Sequence, residues 1–157
     1  MAINVLDSQG TKVYVVSPAA EYADCSAAVT AILGGKLVGC PQTLGELSET
    51  REVTEYKCLS SNESAKSLGA ISRGSFEIGL LLDPTDTEGQ DALKDAFANN
   101  TPVTIGIELS DSLGANGTIL YFQAAVSGVS TGIEQDAAVT YTVTLEVSSE
   151  ITECPAA

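Results

Sequence analysis

Val139-Thr-Tyr-Thr-Val-Thr-Leu-Glu-Val147 decides the fold class. In an extended chain successive side chains point to opposite faces, so Val139, Tyr141, Val143, Leu145 and Val147 share one side and Thr140, Thr142, Thr144 and Glu146 the other. The stretch is β-branched and half polar, as strands of antiparallel sheets are when one face is dry and the other wet. The pattern recurs at Val103, Ile105, Ile107 and Leu109, opposed by Thr104, Gly106 and Glu108. It recurs again at Phe76, Ile78, Leu80 and Leu82, opposed by Ser75, Glu77 and Gly79. Leu120, Phe122, Ala124 and Val126 predict a fourth strand and Lys12 to Ser17 a fifth. A weaker one is expected over Glu52 to Leu59, where Val53, Tyr56 and Leu59 do not share a face.

Helical spacing interrupts the strands twice. From about 87 to 99, Thr87 and Gln90 fit a capping box, Glu88 and Asp91 sit near the positive helix end, and Leu93, Ala96 and Phe97 form an apolar stripe. Asn99-Asn100 and Pro102 end it. A shorter helix is expected over Cys25 to Leu33, with Asp24 as N-cap, Cys25, Ala28, Val29 and Ile32 on one face, and Gly34-Gly35 as the stop. The polar stretch Ser60, Ser61, Asn62, Glu63, Ser64, Ala65, Lys66, Ser67 reads as an exposed hairpin tip.

The 157 residues suffice for one domain and one core. Hydrophobic residues at 44% against 18% charged exclude a disordered chain. Seven Lys+Arg against 21 Asp+Glu leave a net charge of −14, which argues against tight binding to nucleic acid or an anionic membrane. His is absent, and with it the common triads and His-ligated metals. Met1 to Asp7 carries no charged leader before an apolar run, so no signal peptide is expected. The longest apolar run, Ile78 to Leu82, is far short of a membrane span. Cys25, Cys40, Cys58 and Cys154 form no CxxC pair. Without an export signal they are expected as buried free thiols, two disulfides being the alternative.

Chemical motifs fail one by one. Gly34-Gly35-Lys36 lacks the flanking Gly and Ser/Thr of a phosphate loop: Thr30 and Leu37 stand there. Asp83 to Gly89 is oxygen-rich, but Pro84 occupies a position where a calcium loop needs Asp. Glu77, Glu108 and Glu146 could serve as paired carboxylates, yet with no Trp and 5% aromatics a sugar cleft is not expected. A Cys nucleophile would lack a His base. Asn62, Asn99 and Asn116 match the glycosylation acceptor pattern, which carries no meaning without export. No enzyme, cofactor or metal is expected. What remains is a strand face of Thr, Ser, Gly and Glu, poor in Lys and Arg, to which an anion does not stick.

Several stretches resemble the tail tube (major tail) proteins of long-tailed, non-contractile bacteriophages. Leu44-Gly-Glu-Leu-Ser-Glu-Thr-Arg-Glu-Val-Thr-Glu-Tyr56 resembles that family's first long hairpin strand. Leu68 to Gly74 with Ser75 to Asp83 resembles the returning strand, Thr87 to Phe97 the flanking helix, and Tyr121 to Val129 with Asp136 to Ser148 the closing strands. The likeness covers about residues 35–152 and lies in the order of the elements; residues 18–34 fall outside it. It implies a mainly β chain, an antiparallel β-sandwich or barrel with a long hairpin loop and one flanking α-helix at about 87–99. Residues 1–157 would form a single domain with arms at 1–10 and 149–157.

The resemblance further implies hexameric rings stacked helically into a hollow virion tail, assembled in the host cytoplasm. Its partners would be further copies, a tape-measure protein and terminator and tip proteins; DNA would pass without specific binding, and no membrane is involved. Glu49, Glu52, Glu55, Glu77 and Glu108 are the acids expected at the lumen or between subunits. Ser60, Ser61, Asn62, Glu63, Ser64 and Lys66 are expected to stack rings, and Lys57, Arg73 and Lys94 to pair with a neighbour's acids. Two alternatives stand beside it: a tube subunit of a contractile injection system, and a secreted immunoglobulin-like binding module.

Overall fold

A computed structural model of the chain describes residues 5–157, so the first four residues of the expected N-terminal arm lie outside it. The alternating stretches become strands β1 (Lys12–Val16), β6 (Ser75–Leu81), β7 (Val103–Glu108), β8 (Ile119–Gly132) and β9 (Thr140–Val147). They pair antiparallel in the order β1-β7-β8-β9-β6. Their apolar faces meet: Val13, Val15, Phe76, Ile78, Leu80, Val103, Ile105, Phe122, Ala124, Val143 and Leu145 are essentially inaccessible. Phe76 and Phe122 pack edge to face, ring centroids 5.7 Å apart.

The sheet curls because one segment touches both of its ends. β2 (Lys36–Leu37) pairs with β1, and β3 (Pro41–Leu44) pairs with β6. Between them the chain turns at Gly39-Cys40, with Cys40 in the left-handed region at φ 49°. The curled sheet is bridged in this way and is not a closed barrel.

Helix α2 (Gly89–Asn99) fills the inner side with Ala92, Leu93 and Ala96. The expected capping box does not form. Asp86 does the capping: its carboxylate accepts from the N–H groups of Glu88, Gly89 and Gln90 at 3.1, 3.1 and 3.3 Å, and from Gly39 N–H at 2.9 Å. Gln90, fully buried, donates to Gly39 O and Leu81 O and accepts from Asp83 N–H. Asp86 and Gln90 thus fasten the bend of the bridging segment to the start of α2. Gly89 is required there, since a Cβ would overlap the backbone of Leu37 and Val38. Phe97, expected in the buried stripe, is 44% exposed. Asn100, left-handed at φ 54°, ends the helix.

A second helix, α1 (Cys25–Leu33), lies on the outer side, so the sheet carries two helices where the resemblance supplied one. Asp24 accepts from Ala27 N–H at 2.8 Å, the expected cap. Ala28 and Ile32 pack over Tyr14 and Ile119. This overturns the outward placement of Thr104 and Gly106, both buried. A Cβ at 106 would overlap the Ile32 side chain. Thr104 Oγ1 accepts from Ala20 N–H at 3.1 Å.

The cysteines also depart from expectation. Cys25 of α1 and Cys154 of β10 (Thr152–Cys154), a strand paired with β8, form a disulfide with Cα atoms 5.5 Å apart. Cys40 and Cys58 are free but exposed. Spacing could not reveal a bridge spanning 129 residues, made by folding β10 back beneath α1. Beyond it, Ala157 O accepts from the N–H groups of Leu113, Ala115 and Asn116, so this end lies on the body.

Two outcomes follow. Alkylation of the native oxidised protein should modify Cys40 and Cys58 only, with all four cysteines reacting after reduction and unfolding, as read by mass spectrometry. Asp86→Ala should cost about 2–3 kcal/mol in denaturant titration, from a lost cap and an orphaned Gly39 N–H. Burial pushes the Asp86 carboxyl up, but its backbone N–H donors outweigh this and hold it below the ordinary carboxylate value. Its contribution is therefore complete above about pH 4 and disappears as pH falls through the folded value, so the variant's stability should vary less over that acid range.

Candidate assembly surfaces

The outer side of β6-β9-β8 is bare where α1 does not reach. Cross-strand partners there are Ser75, Glu146 and Ala125; Glu77, Thr144 and Gly128; Gly79, Thr142 and Ser130. A bulge between Val126 and Gly128 turns Ser127 outward, its hydroxyl 3.3 Å from Thr144 O and 3.4 Å from Glu146 Oε1. The face is hydroxyls, glycine, alanine and two carboxylates, with no Lys or Arg. A phosphate arriving here finds no cation and meets negative charge. Gly79 keeps the surface low, since Thr43 of β3 already fills the space a Cβ would take.

Two sets of backbone groups stand open. β7 pairs with β8 only as far as Ala124, so β8 from Ala125 to Gly132 has a strand on one side only among the described residues. The second set belongs to a hairpin of β4 (Glu49–Lys57) and β5 (Ser64–Arg73), which among the described residues pair only with each other. All of β4 is exposed, so Val53 and Tyr56 need not share a face: there is no dry face to share. The predicted tip is shorter than expected, because Ser64, Lys66 and Ser67 belong to β5 and only residues 58–63 turn.

The five acids do not converge. Glu49 sits at the hairpin base, where Oε1 accepts from Ile151 N–H at 3.1 Å and Oε2 lies 3.8 Å from Arg73 Nε. Cross-strand pairing puts Glu55 opposite Lys66 on one hairpin face, and Glu52 on the other, against Gly69. Glu77 is on the bare sheet face. Glu108 lies in β7 on the α1 side, where burial first and then its charge push the Tyr14 hydroxyl's pKa up. Ser60, Ser61, Asn62 and Glu63 form the exposed turn. Lys57 extends from the hairpin, Arg73 lies at its base beside Glu49, and Lys94 is 3.9 Å from Asp91 and 5.4 Å above the Tyr141 ring.

Glu146, Thr144, Thr142 and Ser130 of the bare face were missing from the expected set. Their signal was present in the alternation of 139–147, but which wet face a helix would cover was not. In the oxygen-rich segment at 83–89, Asp83 accepts from Thr85 and Asp86 from backbone, and no three acidic or Cys side chains converge among the described residues. Hydrogen bonds from the Thr85 hydroxyl and N–H hold the Asp83 carboxyl below its usual range.

No family model matches this sequence, and no curated protein matches it closely enough to count. Solved structures do. A chain of the anti-feeding prophage baseplate, a 6-fold symmetrised reconstruction, aligns over 99% of this chain and 98% of its own, with TM-score 0.72 and 12% identity. A chain of the SPP1 tail tube aligns over 95% and 77%, with TM-score 0.67 and 17% identity. A chain of an extracellular contractile injection system's sheath-tube complex in the extended state aligns over 96% and 92%, with TM-score 0.68 and 13% identity. The fold is therefore the one found in chains of phage tail and injection-system tube assemblies.

Because no element among the described residues packs over the bare face, Thr144→Lys should leave monomer stability within about 0.5 kcal/mol, measured by chemical denaturation.

Proposed function

We propose that the chain is a structural tube subunit, polymerising with identical copies into the hollow tube of a phage tail. The observation that carries this reading is the cation-free hydroxyl and carboxylate face on β6-β9-β8, in a chain whose fold matches tube-assembly chains along almost its whole length. Turned inward and repeated around a ring, that face makes a bore that holds no phosphate. A polyanion then slides instead of binding, which needs released counterions and therefore cations on the wall. The open edge of β8 and both edges of the β4–β5 hairpin give a neighbour backbone groups to pair with, and closing a ring removes such edges.

Six subunits per ring, helical stacking, a tape-measure protein in the bore during assembly, and terminator or tip proteins at its ends belong to this proposal. So does its location, a virion tail put together in the host cytoplasm. The Cys25–Cys154 disulfide would then close once the particle reaches oxidising surroundings. No reaction is assigned to the chain. A second reading, the tube of a contractile injection system, draws on the sheath-tube neighbour and differs by requiring a sheath on the outside.

Negative-stain microscopy of the concentrated protein should show rings or tubes with a stain-filled bore. A monomer at every concentration and ionic strength would overturn the proposal. Tubes of Thr144→Lys should assemble and retain duplex DNA at low salt, whereas wild-type tubes should not, as read by co-sedimentation.

A further inference from the structure

We infer that the cationic face of the β4–β5 hairpin is the surface through which one copy docks on the acidic body of another, leaving the opposite hairpin face free. The inference rests on the tube reading and adds which side of the hairpin makes the contact and what it contacts. Cross-strand pairs point to the same side of a ribbon. Glu49 with Arg73, Arg51 with Ile71, Val53 with Leu68, Glu55 with Lys66 and Lys57 with Ser64 therefore share one face, the register shift keeping Ile71 and Leu68 together. Thr50 with Ser72, Thr54 with Ser67 and Tyr56 with Ala65 share the other.

The split in charge is steep. Four of the chain's seven Lys+Arg, namely Arg51, Lys57, Lys66 and Arg73, stand on the first face, and none on the second. The hairpin as a whole balances four cations against Glu49, Glu52, Glu55 and Glu63. The rest of the chain, with three Lys and 17 acids, carries the whole net −14. A surface that gathers the scarce cations fits a partner rich in acids, and other copies of this chain are such a partner. Val53, Leu68 and Ile71 lie among these cations, 55%, 66% and 38% exposed. Apolar groups ringed by charge have the anatomy of a docking patch, with an apolar centre and a polar rim. A two-stranded ribbon of this kind is marginal by itself in water, so docking also completes the hairpin's own stability. Duplex DNA fits worse, because Glu49 and Glu55 and the apolar centre interrupt the positive charge.

The test uses the full chain and three double variants at exposed positions: V53E/L68E and K57E/K66E on the docking face, T54E/S67E on the other. Circular dichroism checks that each is folded, and sedimentation with electron microscopy reads assembly. Both docking-face variants should raise the concentration needed for tubes at least tenfold, and T54E/S67E should assemble like wild type. Wild-type tubes with docking-face variants that assemble normally, or with T54E/S67E as the defective one, overturn this inference and leave the tube reading intact. Docking-face variants that assemble normally but lose a DNA mobility shift given by wild type assign the face to polyanion and overturn it too. A wild-type chain that never assembles overturns both readings.

Discussion

The shape of this molecule depends on how the chain from Lys36 to Leu44 crosses from one end of the sheet to the other. Five alternating strands alone would make an open, twisted sheet with one dry face uncovered. The crossing at Gly39-Cys40 brings β1 and β6 to the same segment and curls the sheet around its core. Asp86 and Gln90 make seven hydrogen bonds to backbone, two of them to Gly39 in that crossing and the other five to Leu81, Asp83 and the first turn of α2. Buried polar groups are tolerated when every one is satisfied, and a satisfied network specifies one geometry. The curl in turn decides which face of β6, β9 and β8 is left outside.

From that curl comes a division of labour on the surface. α1, the disulfide and β10 cover the outer side of β1, β7 and the first part of β8. Among the described residues the remaining outer side stays bare, and the half of β8 beyond Ala124 projects past β7 with one edge unpaired. Past its base, where Glu49 accepts from Ile151 N–H, the hairpin leaves the body. A monomer gains nothing from an open edge or from exposed Val53, Leu68 and Ile71, both of which invite association. On the proposed reading these features become contacts in a polymer of identical copies, and the cation-free β6-β9-β8 face becomes its inner wall.

Much of this was legible in the residues. Period-two alternation identified β1, β6, β7, β8 and β9, because each packs one face on a common core. α1 was legible from Asp24, the Ala28–Ile32 face and Gly34-Gly35, although the resemblance did not include it. What stayed hidden was set by distant parts of the chain. Thr104 and Gly106 look like a wet face until Ala20 meets the first and Ile32 of α1 covers the second. Thr87 and Gln90 look like a capping box until Gln90 is taken by Gly39 and Leu81. Cys25 and Cys154 are 129 residues apart in sequence. The hairpin was only weakly readable for the opposite reason: with both faces exposed it has no burial pattern, and its boundaries come from pairing alone. The five acids expected at the lumen or between subunits lie on four surfaces, because which face each residue takes is set by pairing between distant strands.

The most direct measurement is a high-resolution reconstruction of the assembled protein. The account predicts a tube whose bore is lined by Glu77, Thr144, Glu146 and Ser130, with Arg51, Lys57, Lys66 and Arg73 buried between copies. A tube with those basic side chains around the channel, or with the β6-β9-β8 face on its outer wall, would contradict it.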